Sequence, residues 1–268
     1  MTDGINSIDE ARLAEYLQAN LDGFSGPLTA TKFSGGQSNP TFKIESATST
    51  YVLRKQPPGK LLKSAHAVDR EYRVMRALAN SDVPVPGMLH LCEDNSVIGA
   101  MFFVMQYKDG QTYWDSSIPE GTVEQRSTIY DEVNRVLASL HSLNPKHIGL
   151  ADYGRPGNYY ARQLKRWTEQ YRVSAFDTID DMDWMIDWLH EHLPPDDNRI
   201  SLVHGDFRID NLMFDKQQPQ LIAVLDWELS TLGHPFADLA NHCMQQRMPA
   251  NVGDMSGLAG KDLQQLGI

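Results

Sequence analysis

Apolar and polar residues alternate with a period of two along the first part of the chain, then shift to helical spacing. After a polar helix expected over about residues 7–20, "TATKF" and "TFKIES" read as two strands flanking "SGGQSNP". "TYVLRKQ" is a third strand, stopped by Pro57, Pro58 and Gly59. From about His66 to Ala79 the spacing is helical: Val68, Tyr72, Met75 and Ala79 share a face, with Glu71 at its edge. "VPVPG" forces an extended connection, and "AMFFVMQY" is a fourth, strongly apolar strand ended by the turn signal "KDGQ".

Beyond this point Ile129, Val133, Val136, Leu137 and Leu140 mark one long helix. Further helices are expected over Tyr159–Arg172, with Trp167, and over Met182–His192, with Trp184 and Trp188. Two short strands, "LMFD" and "LIAVLD", surround the turn "KQQPQ", and a helix starts near Pro235. A strand-rich front carrying one helix, followed by a helix-rich back, predicts an α+β fold in two lobes. The expected division is an N-terminal lobe over 1–105, a hinge over 106–110 and a helical C-terminal lobe over 111–268.

Chemistry concentrates in one loop, "LVHGDFRIDN", followed by the hairpin. Asn211 precedes the first strand of that hairpin and Asp226 follows the second, so antiparallel pairing brings an amide oxygen and a carboxylate together. Hard oxygen donors of this kind suit magnesium. Asp206, five residues before Asn211, faces the same place without being a ligand. That arrangement suits phosphoryl transfer: Asp206 receives the proton of an attacking hydroxyl, while Asn211 and Asp226 hold the metal on nucleotide phosphates. Singly, Asp206 and Asp210 read as turn residues and Asp226 as a helix cap; the combination D-x4-N, then D after a hairpin, favours chemistry. His204 follows "SLV" and reads as a buried structural histidine.

Composition narrows the setting. The 268 residues are 41% hydrophobic and carry a net charge of −11, which argues against nucleic acid as a partner. Cys92 and Cys243 lie far apart and offer neither a disulfide framework nor a zinc motif. The start, "MTDGINSIDEARLAEYL", lacks the features of a signal peptide, and no apolar run approaches a membrane span. A cytoplasmic protein with no membrane partner is expected.

"HGDFRIDN" followed by "LDWE" closely resembles the aminoglycoside phosphotransferase family, relatives of the protein kinases, and in particular the phosphotransferase-type domain found fused to acyl-CoA dehydrogenases. The resemblance extends from "FSGGQSNPTF" through "YVLRKQPPGKLLKSAHAVDREYRVMRAL" to "GHPFADLA". It implies a bilobal, protein-kinase-like fold with ATP between the lobes. Asp206 is then the catalytic base, Asn211 and Asp226 the magnesium ligands, and Arg208 stands where protein kinases carry a Lys on the transferring phosphate. Gly205 replaces the Arg of "HRD" and "DWE" replaces "DFG", departures that argue against a protein substrate.

The same resemblance places Gly35, Gly36, Gln37, Ser38 and Asn39 over the phosphates, the glycines for close approach and the main-chain amides for bonding. On the third strand Arg54 and Lys55 point to opposite faces. Arg54 shares its face with Val52 and is expected to pair with Glu71 and reach the phosphates; Lys55 is expected to be a solvated surface charge. Backbone groups of Gln106, Tyr107 and Lys108 would bond adenine, with Met105 either beside the pocket or in the core. Asp238 is expected to brace the catalytic loop, and His141 to serve packing.

The acceptor is expected to be a hydroxyl of a small metabolite, the hydroxyacyl class being suggested by the fused relatives. "KLLKSAH" and residues 153–172, with Tyr159, Tyr160, Gln163 and Trp167, are open between substrate contact and, respectively, a solvated loop and core packing. Related chains usually continue further past the "DLA" motif than the about thirty residues found here, so a truncated substrate wall is expected. Two rivals stay open: a nucleotide-binding pseudokinase acting as a regulator or scaffold, supported by Arg in place of Lys, and, less favoured, a protein kinase.

Overall fold

The computed structural model describes residues 7–33, 39–57, 66–155, 157–250 and 256–268. Its N-terminal part is a five-stranded antiparallel sheet in the order β1-β2-β3-β5-β4. The strands are β1 (Leu28–Lys32), β2 (Thr41–Ser46), β3 (Thr50–Lys55), β4 (Met88–Cys92) and β5 (Phe102–Gln106). Helix α1 (Glu10–Asn20) lies on one face and α2 (Val68–Leu78) on the other.

Strand alternation explains this division. In β3, Tyr51 and Leu53 point into a core with Leu13 and Leu17 of α1, whereas Val52 joins Val74, Met75 and Leu78 of α2. That second core continues without a break into the C-terminal part through Met105, Ile129, Val133, Leu202 and Trp227. Burial of this continuous apolar surface holds the two parts together.

The C-terminal part contains α3 (Val123–Ser142), α4 (Tyr159–Ser174), α5 (Asp180–Glu191), α6 (Phe236–Arg247) and the short α7 (Leu263–Leu266). A capping box sets the start of α3, Thr122 and Gln125 each accepting from the other's main-chain N–H. Two small antiparallel pairs carry the loops of interest: β6 (Ser201–Val203) with β9 (Thr231–Gly233), and β7 (Leu212–Phe214) with β8 (Leu221–Val224).

Several expectations change. The sheet has a further strand, β4, whose "MLHLC" has no strict alternation to signal it and which sits at an edge, paired with β5. Strands β6 and β9 are likewise additional, each too short at three residues to show a period. Of the two readings open for Trp167, core packing does not account for it at 53% exposure; Trp184 and Trp188 of α5 are also exposed, at 66% and 44%. Among the described residues no helix is long and apolar enough to cross a membrane.

Candidate active site

The catalytic-loop geometry begins with buried anchors. Between β6 and β7 the chain must turn sharply, and Gly205 makes the turn at φ +88°, a left-handed conformation that favours glycine. A Cβ there would also lie 2.7 Å from the Leu229 carbonyl oxygen, so any larger residue would push the two loops apart. The loop is tied from below by the fully buried Asp238 of α6, which accepts the main-chain N–H groups of His204 and Gly205, both at 2.8 Å. His204 is itself buried, with Nε2 2.9 Å from the Leu225 carbonyl, as expected of a structural histidine. His141 does more than pack, since its Nε2 lies 3.0 Å from Asp238 Oδ2.

Asp206 emerges from this base partly exposed. Asn211 donates its amide N–H groups to the Asp206 carbonyl and to Asp206 Oδ2, both at 3.0 Å. An amide with both N–H bonds committed to oxygens on one side turns its own oxygen away. The Leu225 N–H donates to the Asn211 carbonyl at 2.9 Å, so the end of β8 lies against the start of β7 and brings Asp226 beside Asn211. Asp226 adopts a left-handed backbone at φ +63°, and its side chain makes no capping bond to the 3-10 turn Trp227–Leu229. The next residue holds that turn: Trp227 is fully buried, donates its indole N–H to the Val224 carbonyl at 2.9 Å and packs edge-on against His204.

Across the cleft, β3 and α2 supply a cation and its partners. Arg54 Nε lies 3.0 Å from Glu71, its Nη2 2.6 Å from Asp226 Oδ1 and 3.7 Å from Glu228. Burial opposes the Arg54 charge, yet Glu71, Asp226 and Glu228 together hold its pKa above the usual value. Burial pushes the Glu71 carboxyl up to about 7 although Arg54 pulls it down, with Asp226 and Glu228 adding to the rise. Arg54 therefore faces the cleft, as alternation requires. Lys55 does not face solvent: it is 3% exposed, its ammonium donates to the Ser7 carbonyl at 3.3 Å, and burial lowers its pKa. The expectation of a solvated Lys55 fails because its face of β3 is covered by the segment leading into α1.

Other expected residues are placed as follows. Asn39 is buried and uses its side chain, donating to Glu71 Oε1 at 3.0 Å and lying 3.1 Å from His66 Nδ1, so it braces the Arg54–Glu71 pair. Gly35, Gly36, Gln37 and Ser38 lie outside the described residues, as does most of "KLLKSAH". The Gln106 N–H already donates to the Gly87 carbonyl at 2.8 Å, so of the three expected adenine contacts that amide is committed to the sheet. Tyr107 and Lys108 follow the end of β5, next to the segment where Gly110 packs against Met213 and Phe214. Met105 belongs to the core. Arg208 is not extended toward an open space: its Nη2 lies 2.6 Å from Asp210 and its Nε 3.3 Å from Asp206 Oδ1.

The donor set at the loop ends fits a hard divalent ion. The main-chain bond from Leu225 to Asn211 sets Asp226 next to Asn211 along the chain ends, and Glu71, Asp226 and Glu228 place carboxylate oxygens within 4.8 Å of one another. Glu228 stands in the quoted "DWE" yet drew no role from sequence, because only the fold shows the short turn swinging it toward Arg54. A wide concavity of about 760 Å³ between α4 and α5, lined by Tyr171, Phe176 and Asp183 among others, shares no residue with this site.

A profile of the phosphotransferase enzyme family matches residues 29–260. The chain belongs to that family. A Ralstonia eutropha protein, solved as a candidate aminoglycoside phosphotransferase, is 47% identical, with a TM-score of 0.86 over 97% of this chain and 76% of that one. Aminoglycoside phosphotransferase APH(4)-Ia, solved in a ternary complex with ADP and hygromycin B, is 16% identical with a TM-score of 0.63 over 88% of this chain and 77% of that one, and shares the fold. Acyl-CoA dehydrogenase family member 10 of Mus musculus is 45% identical over 98% of this chain, and family member 11 of Homo sapiens 43% identical over 92%. This phosphotransferase-family chain spans only 24% and 32% of those two relatives. The family, and with it the bilobal kinase-like α+β fold, are as the sequence resemblance implied.

Proposed function

We infer that this member of the phosphotransferase enzyme family transfers the γ-phosphate of ATP, as a magnesium complex, to a hydroxyl of a small metabolite. The observation that carries the reading is the bond from Asn211 to Asp206 beside a hairpin whose other end carries Asp226, with Asp226 in turn paired to the Arg54 held by Glu71. Magnesium bound by Asn211 and Asp226 would neutralise charge on the phosphates. Asp206, its carboxylate fixed by the Asn211 amide, accepts the proton of the attacking hydroxyl. Arg54 exchanges its bond to Asp226 for phosphate oxygens, its planar fork suiting bidentate contact, while Glu71 keeps it aimed. Arg208, beside Asp206 at the cleft mouth, balances charge on the phosphoryl group in transit. Adenine would lie against Val52 and bond the main chain of Tyr107 and Lys108.

Hydroxylated acyl metabolites are the first acceptors to screen, because curated relatives carry this sequence within acyl-CoA dehydrogenase family members. The test is ATP consumption with magnesium across a panel of hydroxylated metabolites, with phosphorus NMR of the product. A phosphate monoester from at least one acceptor is expected. ATP binding without transfer to any acceptor or to water would favour the pseudokinase reading, and transfer to generic proteins would favour a protein kinase.

A further inference from the structure

Helix α6 presents two side chains, one turn apart, to the catalytic loop. Asp238 holds the loop's amides from below. Asn241, three residues on and on the same face, reaches higher: its Nδ2 lies 3.3 Å from the Gly205 carbonyl oxygen and 3.3 Å from Asp206 Oδ1. The orientation is set by chemistry, since a reversed amide would aim its oxygen at two oxygens. An amide nitrogen has two N–H groups, so both bonds form together.

Asn211 does the mirror image on the other edge of the same carboxylate, spanning the Asp206 carbonyl and Oδ2. Asp206 is thus gripped by two amides, each anchored on a main-chain carbonyl and each donating to a different carboxylate oxygen. A third group competes for Oδ1: the Arg208 guanidinium, with Nε 3.3 Å away. A carboxylate held only by Asn211 is free to rotate toward Arg208 and close a full ion pair, which would satisfy the lone pairs a substrate hydroxyl needs. Asn241 pulls Oδ1 the other way.

We propose that Asn241 is a positioning residue that holds the Asp206 carboxylate in its proton-accepting orientation by bonding Oδ1 against the pull of Arg208, whose Nε lies at the same 3.3 Å. This rests on the reading of Asp206 as the proton acceptor. The part of its effect that passes through the Asp206 carboxylate separates it from a residue that merely packs α6 against the loop or bonds the Gly205 carbonyl.

The experiment uses the full chain and magnesium-dependent ATP turnover with water as acceptor, read by release of labelled γ-phosphate. Asn241→Leu is expected to lower kcat on the order of tenfold, the scale of one hydrogen bond to a charged group, with KM for ATP unchanged. Asn241→Asp, which keeps the size and puts a like charge against Asp206, is expected to lower it further, and it carries the same test should the leucine variant not fold. In an Asp206→Asn background, neither change at 241 is expected to lower the remaining turnover again. An equal loss with and without the Asp206 carboxylate, an effect confined to KM, or no effect would overturn the proposal while leaving Asp206 as the base. Turnover by Asp206→Asn alone equal to that of wild type would overturn both.

Discussion

Arg54→Met removes a cation that faces three carboxylates, Glu71 beside it on α2 and Asp226 and Glu228 across the cleft. Arg54 is 13% and Glu71 2% exposed, so their 3.0 Å pair is shielded from water, whereas Asp226 at 36% is partly screened. Deleting one partner of a buried ion pair costs about 3–5 kcal/mol, mainly because the other charge is left uncompensated. The screened Asp226 contact adds little, so a loss of about 3 kcal/mol is expected. Glu71→Gln leaves a neutral amide beside Asn39, and the double variant should therefore lose less than the sum of the two single losses, by about 1–3 kcal/mol. The cost also depends on pH. Glu71 titrates at about 7 when folded against an ordinary value of 4.5, so the folded state binds the extra proton between them and stability falls as pH rises through that window. Without Arg54 the carboxyl rises further, and the loss should be larger at pH 8 than at pH 5. Urea unfolding of the three variants at both pH values measures all of this. A change below about 1 kcal/mol at pH 8, or strict additivity, would show that the network does not hold β3 to α2 as described.

Three further outcomes follow from single contacts. Lys55→Met should leave ATP affinity unchanged by calorimetry, because its ammonium lies on the α1 side of β3; weakened ATP binding would return the phosphate role to Lys55. Gly205→Ala forces a Cβ toward the Leu229 carbonyl at a left-handed φ and should cost at least about 1–2 kcal/mol, with loss of turnover; unchanged stability in urea would mean that the two loops part easily. Burial lowers the pKa of His242, whose Nδ1 has no hydrogen-bond partner among the described residues, so the unfolded chain takes up a proton that the folded one refuses. Its contribution is present above the ordinary value of 6.5 and is lost as pH falls below it. His242→Phe, packed between Tyr130 and Phe207, should flatten that acid limb, and an unchanged slope between pH 5 and 7 would count against it.

Much of this site was legible because it is local. The hairpin from Leu212 to Val224 is closed by a turn signal, and antiparallel pairing alone carries Asn211 to Asp226. Strand alternation separated Arg54 from Lys55, and the 3.6-residue period found Val68 and Met75 of the α2 face, but that face also buries Glu71, Val74 and Leu78 while the expected Ala79 is exposed. What alternation does not tell is which face of a strand is covered, and Lys55 was misread for that reason: the covering residues, around Ser7 and α1, are remote in sequence. The role of Asn39 and the reach of Glu228 and Asn241 depend on how loops and helices dock, over separations of 32 residues for Asn39–Glu71 and 35 for Asn241–Asp206. Only the three-residue spacing from Asp238 hinted that Asn241 shares its face. The exposure of the tryptophans on α4 and α5 was not legible, because their apolar character says nothing about what lies opposite.

The most direct measurement is release of labelled γ-phosphate from magnesium-bound ATP by wild type and by Asp206→Asn, at matched nucleotide occupancy. Equal ATP affinity is expected, with turnover lower by roughly 10²–10⁴-fold in the variant, the range for losing a positioned general base. Equal turnover in both would contradict it, because phosphate would then be moving without the carboxylate around which the whole loop is built.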